Sequence, residues 1–384
     1  MWFKSFRHVS GRSHRRRCRR PFLGRRGHRR CRSLIAAVAA CATAVFFTVA
    51  CHPVRSASRG TKPIRVEVSF GAVDVEVHRA MEDYLERAAG ESRQKIEISV
   101  SHAYASTERQ ISQIRASIAR QPDILVIMPE DSKAVLPLIG EAHEAHIKVI
   151  VYNRQTDPST DRNLEPDVYV GLDTVDQAYT TGIALMKRMR ENGVTPRVIN
   201  VTGADIDRNA VNRTAGFRKA AAEMEGSIVA EVPSHWVPQM AESGLGRALA
   251  AHPEANAVFC ASDWLITGVE ASLRKAHRWA PYGDPRHFFL GSQDVYPNGE
   301  DLVRQGYIDV DTAFDLWPMT TMLIQAILTI GNGQKMSSDV FLVPGRIVTA
   351  NNVDRISELW SRSYRASPGP DRPEVLSPAA PRLR

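Results

Sequence analysis

The stretch DILVIMPEDSKAVLPLIGEAHEAHIKVIVYNRQ, Asp123 to Gln155, decides the fold. It contains two short, continuously apolar runs, ILVIM (Ile124–Met128) and VIVY (Val149–Tyr152), separated by a segment of helical length. A strand covered by helices on both faces of a parallel sheet loses the in-out alternation of a sandwich strand, because neither face meets water. Both runs stop abruptly at polar residues, Pro129-Glu130-Asp131-Ser132 after the first and Asn153-Arg154-Gln155 after the second.

The same beat continues outward in both directions. IRVEVSF (64–70), KIEISVS (95–101), DVYVGLD (167–173), RVINVTG (197–203), SIVAEVP (227–233), NAVFCAS (256–262) and HFFLGS (287–292) read as further strands, each closed by a polar turn. Amphipathic helices lie between them: Val77, Met81, Leu85 and Ala88 share one face, and Ile111, Ile114 and Ile118 share another. Thr107 and Gln110 have the spacing of a capping box for the second helix. Right-handed crossovers join such units. About nine of them exceed one comfortable sheet, so the chain reads as an α/β protein of two doubly wound parallel-sheet, Rossmann-like lobes joined by a hinge. Its 384 residues and 43% apolar content suffice for two cores.

Ligands of open parallel sheets collect at the carboxyl ends of the strands. The polar and aromatic strand tails are therefore the candidate site: Phe70, Asn153, Arg154, Asp207, Asn209, Trp236, Ser262, Asp263, Gln293 and Asp294. Amides, carboxylates and a guanidinium give fixed hydrogen bonds to hydroxyls, and rings cover C–H faces, so the set suits a polyhydroxylated solute in a cleft between the lobes. Taken alone, Asn153 and Arg154 would serve equally as a strand-end cap and a surface ion pair, and Phe70 equally as core, whereas Trp236 fits the site better than core packing.

Charge is unevenly distributed. Met1 to Ser33 holds 13 Lys and Arg with no acid, and Leu34 to Cys51 is uncharged. Removing those 13 from the total of 50 leaves 37 basic against 42 acidic residues beyond Cys51, so the +8 of the whole chain belongs to its start. A basic flank before the apolar run LIAAVAACATAVFFTVAC reads as an export signal, with residues 1–60 as signal and linker. Arg19-Arg20-Pro21-Phe22-Leu23 is similar to a twin-arginine core, and Cys51 after Thr-Val-Ala to a lipidation site; cleavage near Ser56 to Ser58 or a retained anchor are the alternatives. The expected location is the periplasm or the outer face of the cytoplasmic membrane. Cys260, the only cysteine after this segment, excludes an internal disulfide there and reads as a small buried hydrophobe. A proline-rich tail, 366–384, is expected to be disordered.

Catalytic and cofactor motifs are missing. No Gly-x-Gly-x-x-Gly follows the first strand, and neither a phosphate-binding Gly-x-x-x-x-Gly-Lys loop nor a Gly-x-Ser-x-Gly elbow occurs. His143 and His146, with Glu141 and Glu144, lack a third metal ligand at helical spacing. No enzyme, cofactor or metal is expected.

Lys62 to Asn351 resembles the periplasmic sugar-binding proteins of the ribose-binding type, receptors of ATP-driven (ABC) importers. The opening stretch carries this likeness, followed in order by VGLDTVDQAYTTG (170–182), TGADIDRNAVNRTAGFRKA (202–220), HPEANAVFCASDWLITGVEASLRKA (252–276) and FFLGSQDVYPNGEDLVRQGYIDVDTAF (288–314). The resemblance implies that Asn153, in place of a commoner Asp, and Arg154 meet sugar hydroxyls. It implies the same for Asp207 and Asn209 in Asp-Arg-Asn-Ala, for Ser262 with Asp263, and for Gln293 or Asp294; Trp236 becomes an aromatic platform. Phe314 and Asp315 fall where the chain crosses between lobes. Departures are Phe70-Gly71-Ala72-Val73-Asp74, which adds Asp74, and Val211 where an arginine is usual, with Arg213 the nearest substitute.

The implied lobes are 62–172 with 315–338, and 173–314 with 341–350. The implied partners are a small sugar or polyol and an ABC permease, with the receptor a monomer and no nucleic acid. Two other readings remain: a sensor reporting to a membrane receptor, and the effector domain of a lactose-repressor-type regulator, whose DNA-binding helices would have to replace the apolar segment.

Overall fold

The computed structural model describes residues 62–71, 76–356 and 358–366. The expected export segment, Cys51, Asp74 and the tail after Ala366 lie outside the described residues. Twelve strands appear among those described: β1 (Ile64–Phe70), β2 (Ile96–His102), β3 (Ile124–Met128), β4 (Lys148–Asn153), β5 (Val168–Leu172), β6 (Arg197–Thr202), β7 (Ser227–Pro233), β8 (Ala257–Cys260), β9 (Phe289–Gly291), β10 (Asp311–Ala313), β11 (Val340–Val343) and β12 (Arg346–Val348). The helices are α1 (Glu76–Gly90), α2 (Thr107–Ala119), α3 (Leu136–Glu144), α4 (Thr174–Glu191), α5 (Arg208–Glu223), α6 (Pro238–Ala251), α7 (Ile266–Lys275), α8 (Pro297–Arg304), α9 (Leu316–Gly331) and α10 (Trp360–Ala366). None of the described helices is long and apolar enough to cross a membrane.

Two parallel sheets organise the chain. The first has the order β11-β5-β4-β3-β1-β2, and the second β7-β6-β8-β9. In both, the strand order reverses beside the first strand of the set, which opens a crevice at the carboxyl ends where neighbouring loops diverge. Every residue of β3 is buried, and β4 is buried beyond Lys148. Continuous apolar runs thus reflect helices on both faces, as the opening stretch implies. Val77, Met81, Leu85 and Ala88 of α1 are buried against the first sheet; Ile114 of α2 is buried, with Ile111 and Ile118 packed beside it.

The capping expectation for α2 is off by one residue. Ser106 is the N-cap, its Oγ accepting from Arg109 N at 3.2 Å. Gln110 turns inward instead: its Nε2 donates to the Met128 carbonyl at 2.9 Å, and its Oε1 accepts from Glu130 N at 2.8 Å. A buried amide with partners on both sides is stable where a capping glutamine would need solvent, and this one fixes the loop after β3.

The final strand also needs correcting, since the expected single strand of 341–350 in the second lobe is divided. β11 runs parallel to β5 in the first sheet, while β12 pairs antiparallel with β10. Pro344 lacks the N–H that a continuing ladder requires, so the strand breaks there and resumes in a different pairing. The chain passes between the sheets after β5, between β10 and α9, and between β11 and β12. Arg346 clamps two of these passages, donating from Nε and Nη2 to Asp315 at 2.7 and 2.6 Å.

Candidate functional site

Loops from both sheets meet around a cavity of about 480 Å³. Four side chains build the first part of its polar wall. Asp207 is the N-cap of α5, its Oδ1 accepting from Asn209 N at 2.8 Å. Its Oδ2 accepts from Trp236 Nε1 at 3.0 Å and lies 3.0 Å from Arg154 Nε. Arg154, which follows β4, extends on the other side to Glu130 Oε2 at 3.1 Å. Burial alone would lower the Arg154 pKa, yet the neighbouring Asp207 and Glu130 charges outweigh it and hold the guanidinium above its ordinary value.

A second network lies one helical turn along α5. Arg213 shares the inward face with Asn209. Its Nη1 donates to the Ala261 carbonyl at 2.7 Å and to Asp294 Oδ2 at 3.1 Å, and its Nη2 pairs with Asp294 Oδ1. Ser262 Oγ donates to the same Asp294 carboxylate at 2.6 Å. Two buried polar atoms in this wall find no partner, Asn209 Oδ1 and Arg213 Nε. One accepts and the other donates, so a ligand that does both would satisfy them.

Backbone geometry aims these groups. Asn153, Trp236 and Asp294 all have positive φ, at 60°, 61° and 90°. Non-glycine residues held this way carry local strain, and here Asn153 ends β4 while Trp236 and Asp294 follow β7 and β9, each in the cavity lining. The Trp236 ring lies against Gly203, where a Cβ would collide with it. Trp264 donates from Nε1 to the Trp236 carbonyl at 2.9 Å and, with Tyr296 and Phe314, adds rings to the lining.

Asn153, Arg154, Asp207, Asn209, Arg213, Trp236, Ser262, Asp294 and Phe314 thus come together as the sequence suggests. Four expected residues do not. Phe70 is fully buried in the first core, stacked on His102, because β1 is covered on both faces. Asp263 points away from the cavity, accepting from Ser292 Oγ and from Tyr296 N at 2.9 Å. Gln293 lies behind Asp294, donating to Thr181 Oγ1 at 2.8 Å. Asp315 braces the passage between sheets through Arg346. Asp74 lies outside the described residues.

His78, Glu130, Trp264 and Tyr296 line the cavity without having been singled out from sequence. Glu130 alone had a signal, as a polar residue just after an apolar strand. His143, weighed as a metal ligand, instead bonds the Asn163 carbonyl and lies beside Asp167.

Comparison with known proteins agrees with this architecture. Residues 66–335 match the periplasmic binding protein domain. The D-ribose/D-allose-binding protein of Pseudomonas aeruginosa is 30% identical over 173 residues, covering 45% of this chain and 53% of that protein. The ribose import binding protein of Escherichia coli is 26% identical, covering 52% and 62%. The chain therefore spans a little over half the length of these curated relatives. A solute-binding protein of Actinobacillus succinogenes crystallised with D-allose superposes with a TM-score of 0.68 at 22% identity, over 76% of this chain and 99% of that one, a likeness of fold. Paired parallel sheets of matching order and a family match running from β1 to just past α9 lead to one conclusion: the chain belongs to the periplasmic binding protein family.

Proposed function

We propose that this protein is an extracytoplasmic receptor that takes a sugar or sugar-like polyol into the cavity between its two lobes and presents it to an ABC permease. The observation that carries the reading is the cavity wall: buried amides, carboxylates and guanidiniums from both sheets, two of their atoms unpartnered, facing a group of aromatic rings. Hydroxyls donate and accept at once and suit the unpartnered donor and acceptor, while the rings suit the C–H faces of a sugar. The names of the two curated relatives, which bind or import ribose and allose, support the same class.

Binding and release would follow from closure. Ser132, on the loop after β3, donates from its backbone N to the Ile206 carbonyl at 2.9 Å, and its Oγ accepts from Arg208 N at 2.9 Å. These bonds join loops of the two sheets over the cavity, so solute exchange requires them to part; a solute touching both sides favours the shut form. Ser262 Oγ is bonded to a carboxylate rather than an imidazole, which is consistent with holding a ligand and not with attacking one.

A thermal-shift screen against pentoses, hexoses, polyols and inositols tests the proposal. A ligand that binds only the folded state raises its unfolding midpoint. A shift with at least one such compound, lost in Arg154→Ala, is the expected result; no shift across the screen would remove the reading.

A further inference from the structure

The segment after β12 reaches the solute site from beyond the matched family domain, which ends at residue 335. It is fixed to α8. The buried Glu300 of that helix accepts from Ser361 Oγ at 2.7 Å and from Arg362 Nε at 2.8 Å. Arg362 also donates from Nη1 to the Ile356 carbonyl at 2.9 Å. Leu359 is buried in the second core and Trp360 in the first, so α10 begins where the two cores meet. Trp360 is fully buried and is not among the residues that line the cavity, but it touches two that are. Its indole Nε1 donates to the Asp294 carbonyl at 2.8 Å, and its ring meets that of Tyr296 edge-on, with centroids 5.0 Å apart and planes at 86°.

Both contacts bear on the cavity wall. Asp294 has a φ of 90°, which a non-glycine residue keeps only where its surroundings hold it. Its backbone is held on both sides: the N–H donates to the Thr312 carbonyl at 2.8 Å, and the carbonyl accepts from Trp360. The same residue carries the carboxylate that Arg213 and Ser262 bond. On the aromatic side, Tyr296 stands between Trp360 and Trp264, whose ring centroid is 6.4 Å from its own, and Trp264 in turn bonds the Trp236 carbonyl. One residue outside the wall therefore backs both its polar and its aromatic parts. A phenylalanine would fill most of the same space; the indole adds an N–H for a buried carbonyl that is costly to leave without one.

Resting on the reading of the site as a sugar or polyol receptor, we propose that Trp360 is a positioning residue for the solute: from α10 it holds the Asp294 backbone in its left-handed turn and braces the Tyr296 ring. The segment after β12 then belongs to the binding apparatus, acting on the solute through Asp294 and Tyr296.

Calorimetry and thermal unfolding on the full chain test this, with D-ribose, D-allose, L-arabinose, D-xylose and myo-inositol as solutes. Trp360→Phe keeps a ring and removes the N–H, whereas Leu359→Ala loosens α10 from the second core. The expected result is that Trp360→Phe weakens binding of the tightest of these solutes at least about tenfold, a donor to a buried carbonyl being lost. Leu359→Ala should lower the unfolding midpoint by more than Trp360→Phe does, yet change that affinity by less than about twofold. Should Trp360→Phe fold poorly, 3-benzothienylalanine in place of Trp360, the same ring shape with sulfur for the N–H, is expected to show the loss. An affinity unchanged by loss of the N–H, or one that falls in step with the unfolding midpoint across the variants, would overturn the role of Trp360 and leave the receptor standing. Binding of none of the five solutes by the unaltered chain would count against both.

Discussion

Arg154 Nε lies 3.0 Å from Asp207 Oδ2, an ion pair that joins the end of β4 in one sheet to the N-cap of α5 beside the other. Both side chains are almost wholly buried, at 9% and 3% exposure, so this contact is made where water is excluded and its strength is little screened. It also sets the Trp236 ring, since the same Asp207 oxygen accepts from the indole.

Removing the guanidinium would leave two carboxylates facing each other across the cavity. Arg154→Ala is expected to weaken solute binding by more than about 2 kcal/mol, a buried charged hydrogen bond being lost. Calorimetry with the tightest solute from the screen checks this, and an unchanged affinity would exclude Arg154 from the binding wall.

Gly203 is expected to matter through Trp236. A methyl at this position would collide with the indole ring and tilt it out of the cavity. Gly203→Ala should cost roughly 1–3 kcal/mol of stability, the usual range for overpacking, and weaken solute binding with it. Ligand-dependent quenching of tryptophan fluorescence should shrink with it and shrink further in Trp236→Phe, leaving the share of Trp264, which also lines the cavity; full quenching in both variants would place the ring elsewhere.

Ser132 bonds across the mouth from its own N–H and through its hydroxyl. Ser132→Ala removes only the hydroxyl acceptor from Arg208 N, worth about 1 kcal/mol. Stopped-flow dissociation should quicken roughly fivefold. An unaltered rate would show that this bond does not hold the lobes together.

Asp263 and Asp311 face one another in the second lobe. Asp311 Oδ2 finds no donor among its neighbours, and a proton shared with Asp263 would satisfy both carboxyls. Burial raises the Asp263 pKa to about 7 and that of Asp311 well above the ordinary carboxylate range. An acid that holds its proton more tightly when folded stabilises fully below its unfolded pKa of about 4, and that contribution is lost as pH rises through the folded value. Stability should therefore fall from about pH 4 toward pH 7 and beyond. Asp311→Asn replaces the proton with a permanent donor and keeps Oδ1 for Thr312 N. Urea midpoints should differ less between pH 5 and pH 8 in this variant than in the unaltered chain; equal differences would contradict the shared proton.

The strands were legible because ILVIM and VIVY are apolar without alternation, and their tails led to most of the cavity wall. The misplacements have a common geometry. Ser262 is in extended backbone, so its side chain and that of Asp263 point to opposite sides; only Ser262 reaches the cavity. Gln293 and Asp294 divide too, but there it is the positive φ of Asp294 that accompanies its place in the lining. Phe70 failed because a strand-end aromatic on a doubly covered strand belongs to the core, while Gly71 lets Glu130 approach closely. Trp264 comes from a short 3-10 turn after β8 and Tyr296 is the N-cap of α8, places where no periodicity gives a direction. The division of the last strand could be anticipated only from Pro344, and its two pairings only from the completed sheets.

The most direct test is a crystal structure of the chain with the tightest solute from the screen. The account predicts the solute inside the cavity, bonded to Asn209 and Arg213 and with one face against Trp236. A solute seated elsewhere on the molecule, or a cavity left without it at saturating concentration, would contradict it.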